Sequence, residues 1–161
     1  MLSRVEKFEA ALAQTECDAV LVTNLKNIYY LTGFSGTEAT VFISKKRRIF
    51  LTDARYTLIA KGVVEGFDIV ETRDAVGEIA KIIADDKLEK IGFDDEISYA
   101  YFKMLESVFA GHELVPMTGF IENLRMIKDE QEIATIRRAC QISDQAFLDV
   151  LDFIKPGQTT E

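Results

Sequence analysis

The chain has 161 residues, 48% of them apolar, and a formal net charge of −8. That length suits one domain, or one domain with an extension, and the apolar share supplies a core of ordinary size. The acidic balance argues against a nucleic-acid surface, which is normally basic, and no apolar run approaches the ~18 residues of a membrane span.

Ser3 and Glu6 form a capping box, Ser-x-x-Glu, ahead of a helix whose inner face is Val5, Phe8 and Leu12. Ala19-Val20-Leu21-Val22 is a continuous apolar run, which predicts a strand buried on both faces. Asn27 to Leu31 reads as an aromatic-rich turn leading into a glycine-bounded loop, Gly33-Phe34-Ser35-Gly36-Thr37. Thr40-Val41-Phe42-Ile43 and Ile49-Phe50-Leu51 lie on either side of a basic link, 44–48, and predict a hairpin. The link itself reads as a solvated turn. Thr52-Asp53 reads as a helix start, with Tyr56, Ile59 and Val63 on the helix face and Gly66 breaking it. Phe67-Asp68-Ile69-Val70 predicts a strand. Asp74 caps a helix with Val76, Ile79, Ala80 and Ile83 inward. Lys90-Ile91-Gly92-Phe93 is the next strand, Ser98 starts a helix with Phe102, Leu105 and Phe109 inward, and Glu113-Leu114-Val115 is the last strand.

Six strands alternating with helices predict an α/β domain. Its single mixed sheet is mostly parallel, contains an antiparallel hairpin and is flanked by helices. The composition changes near Pro116, which places a domain over 1–118. Residues 119–126 read as a linker with a short helix. Asp129-x-x-Glu132 then caps a long helix with an apolar stripe of Ile133, Ile136, Cys140, Phe147, Val150 or Leu151, and Ile154, which Pro156-Gly157 ends. Thr159-Thr160-Glu161 resembles a further helix start, so 119–161 is expected to belong to a second domain that continues in a longer chain. A stripe lacking part of its partner is expected to be mobile or to form a dimer contact.

Candidates for chemistry are few. His112 is the one histidine and sits in a helix-to-strand turn, so it reads as a surface residue; scattered carboxylates around one histidine fall short of a metal centre. Ser35 lacks the Gly-x-Ser-x-Gly spacing of a nucleophile elbow, and the loop around it is no phosphate cradle. Glycines in a tight strand connection explain Gly33 and Gly36, but they leave Phe34 unexplained among polar, flexible neighbours, which hints at a binding loop. Asp53 and Arg55 have two readings. In one, Asp53 caps a helix and Arg55 pairs with a carboxylate. In the other, Arg55 presents its planar fork of donors to a peptide carboxylate or carbonyl. Cys17 and Cys140 fit no metal or redox spacing. Cys140, on an apolar helix face, is expected as a buried reduced thiol. The charged, amphipathic N-terminus differs from a signal peptide, and the expected setting is the reducing cytoplasm.

The stretch NIYYLTGFSGT followed by FLTDARY resembles the N-terminal domain of the creatinase, prolidase and Xaa-Pro aminopeptidase superfamily. A second block, from Leu124-Arg125-Met126-Ile127-Lys128-Asp129-Glu130 through Ile154-Lys155-Pro156-Gly157, resembles that family's passage into its metal-binding domain. The resemblance implies a ribonuclease H-like sheet and a peptidase acting on proline-containing peptides. It also implies two divalent metal ions, commonly manganese, held by residues absent from this chain, and a homodimer. It implies no catalytic residue and no metal ligand here, and substrate-side roles for Phe34, Ser35, Thr37, Arg55 and Tyr56. A dipeptidase, a creatinase-type hydrolase and a metal-free binding module share the domain and stay open as alternatives.

Overall fold

A computed structural model describes residues 3–157, so the helix-start signal at 159–161 lies outside the described residues. Contacts divide the chain into two compact units, one through Leu124 and one from Arg125 onward. The division falls a few residues beyond the boundary at 118 expected from composition, inside a short helix.

The first unit is one six-stranded sheet with helices on both faces. It opens with α1 (Arg4–Leu12), where Ser3 and Glu6 close the capping box and Val5, Phe8 and Leu12 are buried. The strands are β1 (Ala19–Val22), β2 (Thr40–Ser44), β3 (Arg48–Thr52), β4 (Asp68–Glu71), β5 (Lys90–Phe93) and β6 (Glu113–Pro116). Their order across the sheet is β4-β3-β2-β1-β5-β6. β2 is antiparallel to both of its neighbours, pairing Val41 with Val22 and with Phe50, and the remaining pairs are parallel. The other helices of this unit are α2 (Leu25–Thr32), α3 (Thr57–Val63), α4 (Ala75–Asp86) and α5 (Tyr99–Val108); α6 (Phe120–Met126) begins in it.

The central strands show why the sheet needs cover on both sides. In β1, Val20 and Val22 join one buried cluster with Phe8, Ile28, Phe34, Phe50 and Ala60. Ala19 and Leu21 join the other, with Phe42, Ile79, Ile83, Leu105 and Phe109. Successive side chains point to opposite faces, so a strand apolar at every position is stable only between two layers of helices. Polar contacts fix the hairpin. Arg48 forks onto Glu9 with bonds of 2.6 and 2.7 Å, and Arg47 onto Asp86 with bonds of 2.8 and 3.0 Å.

Three local expectations need correction. The stretch read as an aromatic turn is helix α2. Its end signals outweigh its aromatic content: the Asn24 side chain accepts the Lys26 N–H, and Gly33 stops the helix at φ 74°. In α3 the expected face is out of phase. Ile59 and Val63 are 54% and 45% exposed, whereas Ala60 and Val64 enter the core. Asp53 does not cap α3, because Tyr56 holds the N-cap position without a side-chain bond. The Asp53 side chain accepts the Arg55 N–H instead, and its carbonyl accepts those of Tyr56 and Thr57. The caps expected at Asp74 and Ser98 are present.

Behind the ends of β1 and β5 lies a buried polar cluster. Asp94 accepts the N–H groups of Thr23 and Asn24 at 2.6 and 2.8 Å and the Asn27 amide at 3.2 Å. Asn27 also donates to Glu122 at 2.8 Å. Burial pushes the Asp94 carboxyl above its ordinary value, against the pull of these donors, and the Glu122 charge adds to the rise.

The second unit holds α7 (Glu130–Phe153), capped by the expected box of Asp129 and Glu132. Of its apolar stripe, Ile136, Phe147, Val150 and Ile154 are exposed. Cys140 is therefore exposed, contrary to the buried thiol expected, because an apolar helix face buries a thiol only where another layer packs on it. Among the described residues no helix is long and apolar enough to cross a membrane.

Two measurements test this packing. A Cβ at Gly36 would stand 2.3 Å from the Phe34 ring, which the core holds in place. Gly36→Ala is expected to cost about 1–3 kcal/mol in urea denaturation; a cost below about 0.5 kcal/mol would mean that the ring yields freely. Asp94 has its pKa raised in the folded state, so the stability it contributes is present below the unfolded carboxyl value and is lost as pH rises through the folded one. The stability of Asp94→Asn relative to wild type should therefore improve as pH rises from about 4 to 7. A difference that stays flat, or runs the other way, contradicts the burial account.

Candidate functional site

The reversed direction of β2 decides where the polar groups meet. β1, β3, β4, β5 and β6 all run one way, so their C-terminal ends share one edge of the sheet. Since β2 starts at that edge, the loop 33–39 feeding it also lies there. α/β sheets carry their binding groups at this edge.

Four of the five expected substrate-side residues form one cluster. Phe34 is buried, 1% exposed, with its ring edge-on to Phe50 at 5.0 Å and to Tyr56 at 5.7 Å. The anomaly that suggested a binding loop is thus explained by packing. Phe34 plugs the loop into the core, where it has no surface to offer a substrate. Tyr56 continues the stack outward, and its hydroxyl lies 2.9 Å from the Thr37 hydroxyl. The Arg55 guanidinium sits 5.5 Å from the centre of the Tyr56 ring. Its Nε and Nη2 bond Asp53 Oδ2 at 2.9 and 2.6 Å. Arg55 holds the Asp53 carboxyl below its ordinary value, and Asp53 raises the guanidinium in return. The carboxylate partner expected for Arg55 is therefore Asp53 itself. Ser35, the fifth residue, is exposed on the same loop.

Beside this cluster is an open depression of about 340 Å³ at the ends of β3 and β4. Thr40, Thr52, Asp53, Thr72 and Arg73 line it, together with Glu38. The Thr52 hydroxyl donates to the Glu38 carbonyl at 2.6 Å, which binds the loop to β3. On α5, burial pushes the Tyr101 phenol up, and the Glu38 charge adds to the rise. Sequence reasoning missed Glu38, Thr40, Thr72 and Arg73, whose positions span 35 residues and meet only through strand pairing. No local motif announces them.

Among the described residues, no group of three or more His, Cys, Asp or Glu side chains could hold a metal ion. His112 is half-buried, with Nδ1 2.9 Å from the Leu88 carbonyl. It precedes β6 and so lies at the opposite edge of the sheet.

Comparison with known proteins agrees with this architecture. The Creatinase/Prolidase N-terminal domain family matches residues 4–127. The aminopeptidase P (Xaa-Pro aminopeptidase) of Streptococcus thermophilus is similar at 56% identity and TM-score 0.74, over 76% of this chain and 95% of that one. The Xaa-Pro dipeptidase of Bacillus anthracis is similar at 34% identity and TM-score 0.89, over 97% of this chain and 44% of that one. A curated relative, the uncharacterized peptidase YqhT of Bacillus subtilis, is 34% identical over 96% of this chain. The chain spans 44% of that relative's length. By its sequence and by its helix-flanked mixed sheet, the chain belongs to the creatinase/prolidase N-terminal domain family.

Proposed function

We propose that this chain is the non-catalytic N-terminal part of a longer Xaa-Pro aminopeptidase, which removes the N-terminal residue preceding a proline. The observation that carries this reading is the 56% identity to the Streptococcus thermophilus aminopeptidase P over three quarters of the chain. Chain length supports it too, since the match to the Bacillus subtilis peptidase covers under half of that protein. In this reading residues 119–161 are the linker and first helix of the catalytic domain, and the exposed stripe of α7 packs against the rest of that domain. A proline amide lacks an N–H and has a fixed φ, which ordinary peptidases handle poorly. Two divalent metal ions, manganese by expectation, would be held by downstream residues, where they lower the pKa of a bridging water and polarise the scissile carbonyl.

The part played by this chain is to shape the approach. Ser35, Thr37, Arg55 and Tyr56 sit on one rigid edge and act as a wall that limits access to the active site, with Phe34 as the anchor beneath them. A small enclosed site excludes long or misfitting substrates. We further propose that the domain supports a homodimer and works in the cytoplasm, a setting in keeping with the free Cys17 and Cys140. An Xaa-Pro dipeptidase is the second reading, favoured by the match to the Bacillus anthracis dipeptidase over 97% of the chain.

Two assays test these proposals. The 161-residue chain, supplied with manganese, should show no turnover of Xaa-Pro peptides, and turnover above the buffer rate would refute the assignment of catalysis to another domain. In the longer protein, a tripeptide with proline second should be cleaved; preference for an Xaa-Pro dipeptide would favour the second reading, and cleavage of neither would reject both. In that protein, Tyr56→Phe or Thr37→Val should raise KM about three- to tenfold with kcat nearly unchanged, as for a lost positioning contact. A fall in kcat alone would contradict the role of a wall.

A further inference from the structure

The depression at the ends of β3 and β4 shares Arg55 with the aromatic stack and adds polar groups that the stack does not use. Two of its charged side chains, Arg73 and Glu38, are uncommitted. Arg73 is exposed and makes no hydrogen bond or ion pair among the described residues. The Glu38 carboxylate likewise makes neither, and its carbonyl alone is engaged, by Thr52. Asp53 and Arg55 pair at 2.6 Å, which leaves Arg73 and Glu38 as the lining's cation and anion without an ion pair among the described residues, although the Glu38 charge also acts on Arg55.

Thr40 provides the second observation. It is only 8% exposed and lines the depression. Its hydroxyl has no hydrogen-bond partner among the described residues, and no fully buried side-chain polar atom lacks one. The hydroxyl therefore opens onto the depression, where it can donate or accept. An unused hydroxyl on a nearly buried strand residue is a group poised for a ligand. Ala75, the first residue of helix α4, also lines the depression, but the Asp74 carboxylate already caps that helix end at 2.9 Å, so the ligand contacts fall to Arg73, Thr40 and Glu38.

We propose that this depression binds a small zwitterion, a free amino acid or a short peptide. The carboxylate goes to Arg73 and the Thr40 hydroxyl, and the ammonium goes to Glu38. A simple anion would meet the unneutralised Glu38, and a simple cation would meet Arg73, so only a ligand carrying both charges satisfies the two. At about 340 Å³ the space falls at the small end of ligand pockets. The proposal does not depend on peptidase activity, because the site is complete within this chain.

The test is an amide NMR titration of the 161-residue chain with alanyl-proline and with glycine. N-acetylglycine, glycinamide and inorganic phosphate serve as single-charge probes. The expected result is saturable shifts at Thr40, Thr52, Thr72 and Arg73 for at least one zwitterion, with binding about tenfold weaker for each single-charge probe. Arg73→Gln and Glu38→Gln alter exposed side chains without partners and should preserve the rest of the spectrum. Each should weaken zwitterion binding about tenfold. Absence of saturable shifts, binding unchanged in both variants, or phosphate binding at least as tight as the zwitterion would each overturn the proposal. Failure of the peptidase assays with these shifts present would leave this site standing, and the converse also holds.

Discussion

One strand running against five others governs this molecule. β2 lies between β1 and β3 and is antiparallel to both, so the loop that feeds it must start from the edge where the other strands finish. That loop cannot wander, because Phe34 is pulled into the core against Phe50. The Thr52 hydroxyl holds it again at Glu38. The cost of ordering a glycine-rich loop is offset in part by burial of an aromatic ring, which contributes roughly 1.5–3 kcal/mol. A loop that composition marks as flexible is therefore anchored to the core, and it positions Thr37 to meet Tyr56.

Charge follows the same logic. The ion pairs at the hairpin end, Arg47 with Asp86 and Arg48 with Glu9, are bidentate forks that tie the hairpin turn and the start of β3 to α4 and α1. They are partly exposed, so each adds little stability, but their geometry fixes the register of the turn. At the other edge the Asp53–Arg55 pair is local to one turn and leaves Arg73 and Glu38 uncommitted. Ion pairs that tie elements together and charges left uncommitted thus lie at opposite edges of one sheet.

Much of this was legible in the sequence. The run 19–22 could hardly be anything but a central strand, since its apolar residues fill both faces. The capping boxes at Ser3 and Asp129 announce their helices. What failed was phase and context. Helix α2 carries two tyrosines and an isoleucine, which reads as strand or turn unless Asn24 and Gly33 are taken as its caps. In α3, Ile59 and Val63 of the expected face stay exposed, and the small Ala60 takes the core position. Phe34 looked like a ligand group because its partners, Phe50 and Tyr56, are remote in sequence. For the same reason Thr40 and Arg73 gave no signal.

The central claim is that the loop 33–38 and the turn 53–57 form one rigid edge through Phe34. Native-state amide hydrogen exchange on the wild-type chain and on Phe34→Val tests it most directly. Removing the ring should lower the protection of the amides of residues 55–57 together with that of position 34, while β1 and β5 keep theirs. If the loss stays confined to the loop and residues 55–57 remain as protected as before, the edge is not a single unit and the account fails.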